Sequence, residues 1–259
     1  MTSDSKTVLG WTYEPRGFFE ILYQLPFSGG QISISDGEVR GEFDQSYFDQ
    51  SWEFRDKVHA HVSTVFLAQQ VQVHKVFTLS KASMAREHAD GRQDIIGFLE
   101  PVHSTISAGS ADIIVRNSDG KIIQDTKAER LKKQKDFRDA AANMTPNDPV
   151  LKRMLQSFGN ALKDSENLLI HLYEIREALT SDFGGEAIVK KTLSLSSADW
   201  SSFGQLANNE PVQEGQHRGK HAGLRPATKS ETEWALKFAQ ELIELYVTRK
   251  ANGANHATR

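Results

Sequence analysis

Five cationic side chains crowd one stretch near the C-terminus, "GQHRGKHAGLRP", residues 215–226: His217, Arg218, Lys220, His221 and Arg225. Histidine titrates near neutral pH, so His217 and His221 could act as base and acid in phosphodiester cleavage. Arg218 would clamp phosphate oxygens and stabilise developing charge. No metal is needed where the ribose 2′-hydroxyl is the nucleophile. Lys220 and Arg225 would hold phosphate, and Asn208 and Asn209, in a turn ahead of the loop, are further phosphate- or RNA-binding candidates. The plainer reading is a solvated loop, because Gly215, Gly219 and Gly223 favour flexibility over a preorganised site.

Three other constellations compete for attention. His59 and His61 alternate in a strand-like run, with His74 placed for a neighbouring strand, so a His-x-His pair could bind metal or simply line a polar sheet face. Glu174 and Glu177 lie on the polar edges of "ENLLIHLYEIREAL" and could orient a base from the later loop; equally, they could be surface charges with helical partners. "AERLKKQKDFR" has the density of Lys and Arg to track a nucleic-acid backbone, but its acids and its lack of stacking aromatics favour a solvated helix or linker. No phosphate-binding glycine loop, dinucleotide fingerprint, serine elbow or zinc-protease helix occurs, so neither a cofactor nor a metal is expected.

The elements that must position these residues fall into two patterns that change near residue 125. "QISISDGEVRGEF" alternates around Asp36-Gly37 and predicts a β-hairpin. Val58, Ala60 and Val62 alternate with His59, His61 and Ser63, which predicts a strand, and Asp119-Gly120 predicts a second turn. Residues 82–95 are expected to form a connecting turn or short helix. From Asp125 the period is helical. Asp148 before Pro149 is a predicted N-cap, one long apolar run spans Val150–Leu179, and Gly184-Gly185 ends it. Short helices are predicted at 186–194 and 197–207. Ser230 and Glu233 suit a capping box for a final helix with Trp234, Phe238, Leu242 and Leu245 on its apolar stripe.

The predicted fold is α+β: an antiparallel β-sandwich or open barrel (residues 1–125), then a helical bundle (126–250) and a disordered tail (251–259). With 259 residues, 38% of them hydrophobic, the chain can bury a sizeable core. Its net charge of −3 gives no global basic field, so anion binding must come from a local patch. The absence of cysteine excludes disulfides and thiolate chemistry. The first residues lack the basic-then-apolar pattern of a signal peptide, and no apolar run approaches a membrane span, so a cytoplasmic protein without membrane association is expected.

The ordered features of residues 150–248 resemble the HEPN superfamily of bacterial helical domains. They are the helix "LLIHLYEIREAL", two short helices through "EAIVKKTLSLSSADWSSFGQLANN", the Asn208-Asn209 turn, the loop "QHRGKHAG" and the capped helix "KSETEWALKFAQELIELY". The resemblance implies an up-and-down bundle, often dimeric. It commonly acts as a metal-independent ribonuclease in toxin–antitoxin, CRISPR-linked or anti-phage systems. By it His217, Arg218 and His221 become the catalytic candidates, with Glu174 supporting them. In active members the arginine and histidine stand further apart than Arg218 and His221, and Arg218 is followed by Gly219 rather than a polar residue. Two functions are therefore expected side by side. One is binding of RNA or a nucleotide phosphate, with or without cleavage. The other is a non-catalytic scaffold whose β domain and basic loop dock a protein partner; a homodimer through the helical domain is expected with the first.

Overall fold

The computed structural model describes residues 6–50, 53–88, 93–96, 114–116, 121–216, 218–220 and 223–257. The chain divides into two compact units. The first comprises residues 1–69 and 77–133, and the second residues 70–76 and 134–259. The boundary thus lies a little beyond residue 125, and a seven-residue piece of the N-terminal half counts with the helical unit.

The first unit is built on one antiparallel sheet. Its strands are β1 (Lys6–Glu14), β2 (Tyr23–Phe27), β3 (Gly30–Ser35), β4 (Glu38–Asp44), β5 (Thr78–Leu79), β6 (Ser83–Glu87) and β7 (Gln93–Ile96). They lie in the order β2-β3-β4-β1-β6-β7, with β5 pairing the end of β1. The predicted hairpin is β3–β4, with Ser35 paired to Glu38. Asp36 and Gly37 between them both take positive φ, as a two-residue turn of matching twist requires. Strands β6 and β7 occupy the segment expected as a turn or short helix. Pairing of β6 with β1, in the register Val8↔Ala85 and Gly10↔Ser83, and of β7 with β6 overrides their weak alternation. A separate two-stranded ladder joins β8 (Ile114–Arg116) to β9 (Ile122–Asp125); the Asp119-Gly120 turn lies outside the described residues.

Among the described residues a helix packs on this sheet. A short helix α1 (Gln45–Gln50) leads to α2 (Phe54–Val73), the segment expected as a strand. Its buried residues Phe54, Val58, Val62, Val65, Phe66 and Gln69 recur at three and four, while Ala60 is exposed. A spacing of four satisfies both a period of two and a helical turn, so Val58 and Val62 fit either pattern, and β-branched side chains tilt the local preference to strand. Phe66 makes edge contacts with Tyr13 and Phe19 and stacks on Phe18, and Phe54 meets Phe43 and Phe27.

This placement removes the His-x-His pair. Two residues apart on a helix, His59 and His61 point in different directions. Nδ1 of His59 accepts a 2.9 Å hydrogen bond from Trp11 Nε1, and His61 lies against the Phe27 ring. No group of three or more metal-ligating side chains occurs among the described residues. Burial lowers the pKa of both histidines; for His59 Asp56 opposes the shift and Arg55 adds to it. Because the folded pKa lies below the unfolded one, their contribution to stability is complete above about pH 6.5 and is lost as pH falls further. Urea midpoints are expected to fall between about pH 7.5 and pH 5, and a His59→Gln/His61→Leu variant to show a flatter profile. An unchanged profile would contradict this.

The second unit is a helical bundle. Its helices are the end of α3 (Thr126–Met144), then α4 (Pro149–Lys163), α5 (Leu168–Phe183), α6 (Glu186–Thr192), α7 (Ser197–Gly204) and α8 (Lys229–Ala257). Asp148 caps α4 as predicted, its carboxylate accepting from Leu151 N at 2.9 Å. The long apolar run is two helices, broken at Asp164 and a 3-10 turn over Ser165–Asn167. Leu151, Met154, Leu155 and Phe158 of α4 are buried, as are Leu169, Leu172, Ile175 and Leu179 of α5 and Ala235, Ala239, Leu242 and Ile243 of α8. Each large side chain buried in this way stabilises the fold by about 1.5–3 kcal/mol. Residues 70–76 join this unit through His74, whose ring lies on Phe158 and whose Nε2 is 2.9 Å from Gln240 Oε1. Residues 251–257, expected as a disordered tail, continue α8, in keeping with alanines at 251, 254 and 257. No helix among the described residues is long and apolar enough to cross a membrane.

Candidate functional site

The basic loop is closed at its base by backbone pairing. Gln213 N donates to Arg225 O and Arg225 N to Pro211 O, both at 2.9 Å, and Gln216 N donates to Ala207 O at 2.9 Å. Gly215 is buried within this base, whereas Gly219 and Gly223 have open space around them. Lys220 is exposed, and Arg218 to Lys220 form a 3-10 turn. His217 and His221 lie outside the described residues, so no geometry links them to Arg218.

The remaining candidates are differently employed. Both terminal nitrogens of Arg225 bind the Glu231 carboxylate, at 2.8 and 2.6 Å, and Nη1 also donates to Pro226 O. Its guanidinium is a strut between the loop and α8. Asn208 and Asn209 sit in a π-helical turn, Gln205–Asn209, at the end of α7. Asn209 Nδ2 donates to Gln205 Oε1 at 3.1 Å, and the buried Oδ1 of Asn208 has no hydrogen-bond partner. Glu174 accepts from Ser157 Oγ at 2.6 Å and lies 3.7 Å from His171 Nδ1, which ties α5 to α4.

Glu231 has a second role. The capping box of α8 is Thr228 with Glu231, two residues ahead of the expected Ser230 and Glu233. Glu231 N donates to Thr228 Oγ1 at 3.2 Å, and Thr228 N donates back to Glu231 Oε2 at 2.7 Å. Both tetrads match the S/T-x-x-E pattern, and Arg225 makes Glu231 the better anchored partner. The hydrogen bond from Arg225 outweighs burial and lowers the Glu231 carboxyl to about 2. This depressed pKa stabilises the fold fully above about pH 4.5, and the benefit disappears as pH falls towards 2. Glu231→Ala is expected to cost about 1–2 kcal/mol in urea denaturation, as removal of an N-terminal cap does; a cost indistinguishable from zero would show that the cap is idle.

Beside this junction an open groove of about 710 Å³ runs between α7 with its π turn and the first turns of α8. Asp199, Ser202, Glu210, Arg225, Glu231 and Trp234 are among its lining residues. Phe203 packs against Trp234 and Phe238, and Trp234 stacks on Phe238 at 5.7 Å. Trp234, expected on the apolar stripe, is half-buried and reaches the groove. Its helical register with Glu231, three residues earlier, is the sequence signal that places both on one face.

Arg176, the residue before Glu177 on α5, is buried. Its guanidinium lies 4.7 Å from the Trp200 ring centroid and 5.4 Å from that of Tyr173, and Nη2 donates to Glu186 Oε1 at 2.6 Å. A side chain of that size fits only because residue 204 is glycine: a Cβ there would overlap the guanidinium. This cluster fastens α5 to α6 and α7, which carry one wall of the groove.

Comparison of the chain with protein-family models, with curated proteins and with solved structures finds no match.

Proposed function

We propose that the helical unit binds RNA or a nucleotide phosphate through the basic loop, with Arg218, Lys220, His217 and His221 meeting the anion. The observation that carries this reading is a concentration of positive charge on a fixed base. From Gly215 through Ser230 the chain has no acidic residue, and the loop's ends are held by paired backbone and by the Arg225–Glu231 strut. A fixed base reduces the ordering entropy that a freely moving loop would lose on binding. The resemblance of residues 150–248 to HEPN domains supports the same assignment, and dimerisation through this unit would set two such loops together.

Binding is favoured over cleavage because two proposed auxiliaries are already occupied. Arg225 is spent on Glu231, and Glu174 is held by Ser157. Cleavage would rest on His217 and His221 as acid and base with Arg218 on the phosphate. Incubation of the protein with mixed RNA in EDTA, beside an Arg218→Ala/His221→Ala variant, separates the cases. Intact RNA with both proteins, together with measurable RNA binding by the wild type, is the expected result. Chelator-resistant cleavage that disappears in the variant would assign the loop as a ribonuclease, and no RNA binding at all would favour the scaffold reading.

A further inference from the structure

We infer that the groove between α7 and α8 is a docking site for an arginine- or lysine-bearing segment of a protein partner, separate from the anion-binding residues Arg218 and Lys220. Its charged lining is mostly acidic: Asp199, Glu210 and Glu231 stand against a single guanidinium, Arg225, among the neutral polar residues Ser201, Ser202 and Gln205. Glu231 is consumed by Arg225, whereas the Asp199 carboxylate enters no hydrogen bond or ion pair among the described residues. Ser202 is exposed on the same wall, one helical step from Asp199, and offers a hydroxyl. Trp234 adds an aromatic surface that attracts a cation by its quadrupole.

Arg225 itself illustrates the chemistry of the cleft. A guanidinium of this chain is already held there by a two-pronged carboxylate bond and a backbone carbonyl. An incoming arginine or lysine would find the same kind of acceptor in Asp199, and in Glu210, whose Oε1 takes only a long 3.5 Å hydrogen bond from Gln205 Nε2. The groove's volume lies within the span of about 300–1,000 Å³ typical of small-ligand sites and exceeds what one side chain fills, so the occupant is a short segment rather than a lone ion. Charge complementarity decides the class. Negatively charged groove walls repel RNA and nucleotides, which leaves a basic peptide as the fitting occupant.

The test is fluorescence anisotropy with a short fluorescein-labelled peptide of alternating glycine and arginine, at low and at physiological salt. Wild-type protein is expected to bind saturably. Asp199→Asn/Glu210→Gln is expected to weaken binding about tenfold or more, as is Ser202→Lys, which places a cation in the groove from an exposed position. A Glu38→Gln/Glu129→Gln control removes two acids of the other unit and should leave binding unchanged. Arg218→Ala/Lys220→Ala, which disables the proposed anion loop, should not weaken it either. Absence of wild-type binding would overturn the inference. So would equal weakening in the control pair, or groove variants that bind like wild type.

Discussion

Replacing Gly204 with alanine is expected to destabilise the helical unit by about 1–3 kcal/mol, although it adds a single methyl group. The methyl would occupy space now filled by the Arg176 guanidinium. Elsewhere an arginine tip could swing aside, but here it is fixed between Tyr173, Trp200 and the Glu186 carboxylate and is only 8% exposed. Moving it breaks the ion pair and the ring contacts together. Arg176→Ala should cost about 3 kcal/mol, the low end for a broken buried pair, because the Glu186 side chain is 49% exposed and regains water. The two changes should not add. In an Arg176→Ala background, Gly204→Ala should cost less than about 0.5 kcal/mol, since its obstacle is gone. Urea denaturation of the double-mutant cycle measures this; additive costs would show that the Gly204–Arg176 approach does not control the fold.

The second large effect is expected at Tyr246, which is fully buried. Its hydroxyl lies 3.0 Å from Asp148 Oδ2 and 3.3 Å from Asp182 Oδ2, while Lys250 Nζ stands 3.4 Å from Asp182 and over the tyrosine ring. One proton thus serves the N-cap of α4 and the last turn of α5, and the lysine offsets the paired negative charge. Tyr246→Phe should cost about 2 kcal/mol, the range for hydrogen bonds to charged groups, and its effect should fall on both helix ends. Burial, reinforced by Asp148 and Asp182, raises the tyrosine pKa well above its ordinary value. The contribution is complete below about pH 10, where the unfolded side chain begins to ionise, and declines as pH rises further. Wild-type stability should therefore fall more steeply above pH 10 than that of Tyr246→Phe. Matching alkaline profiles would contradict the hydrogen-bond assignment.

Sequence signals are most legible where local chemistry alone sets the backbone. Asp36-Gly37, the Asp148-Pro149 start of α4 and the Gly184 end of α5 are such places, each encoded by residues that demand or relieve a specific backbone need. They mislead where tertiary partners decide. The α2 segment carries valines that suit a strand, yet the sheet's apolar face needs a cover, and Phe54, Phe66 and Gln69 supply it at helical spacing. Strand β6 pairs with the edge of β1 and β7 with β6, partners that no window of their own residues reveals.

The site shows the same division. The basic loop is visible as a run of charge, whereas the commitment of Arg225 to Glu231 is hidden because two overlapping capping tetrads fit one sequence. The groove has no signature of its own, because its walls come from helices separated by the whole loop and Trp234 reads as one more core aromatic. Arg176 likewise gives no sign of burial. Only the glycine at 204, distant in sequence, makes room for it.

The most direct measurement is the affinity of the full chain for a labelled single-stranded RNA as a function of salt. Wild-type protein is expected to bind with an affinity that falls as salt rises. Arg218→Ala/Lys220→Ala should bind at least about tenfold more weakly and with a shallower salt slope, by about 0.7 for each phosphate no longer neutralised. An RNA affinity and salt slope left unchanged by removing both cations would contradict the loop's assignment as the anion-binding site.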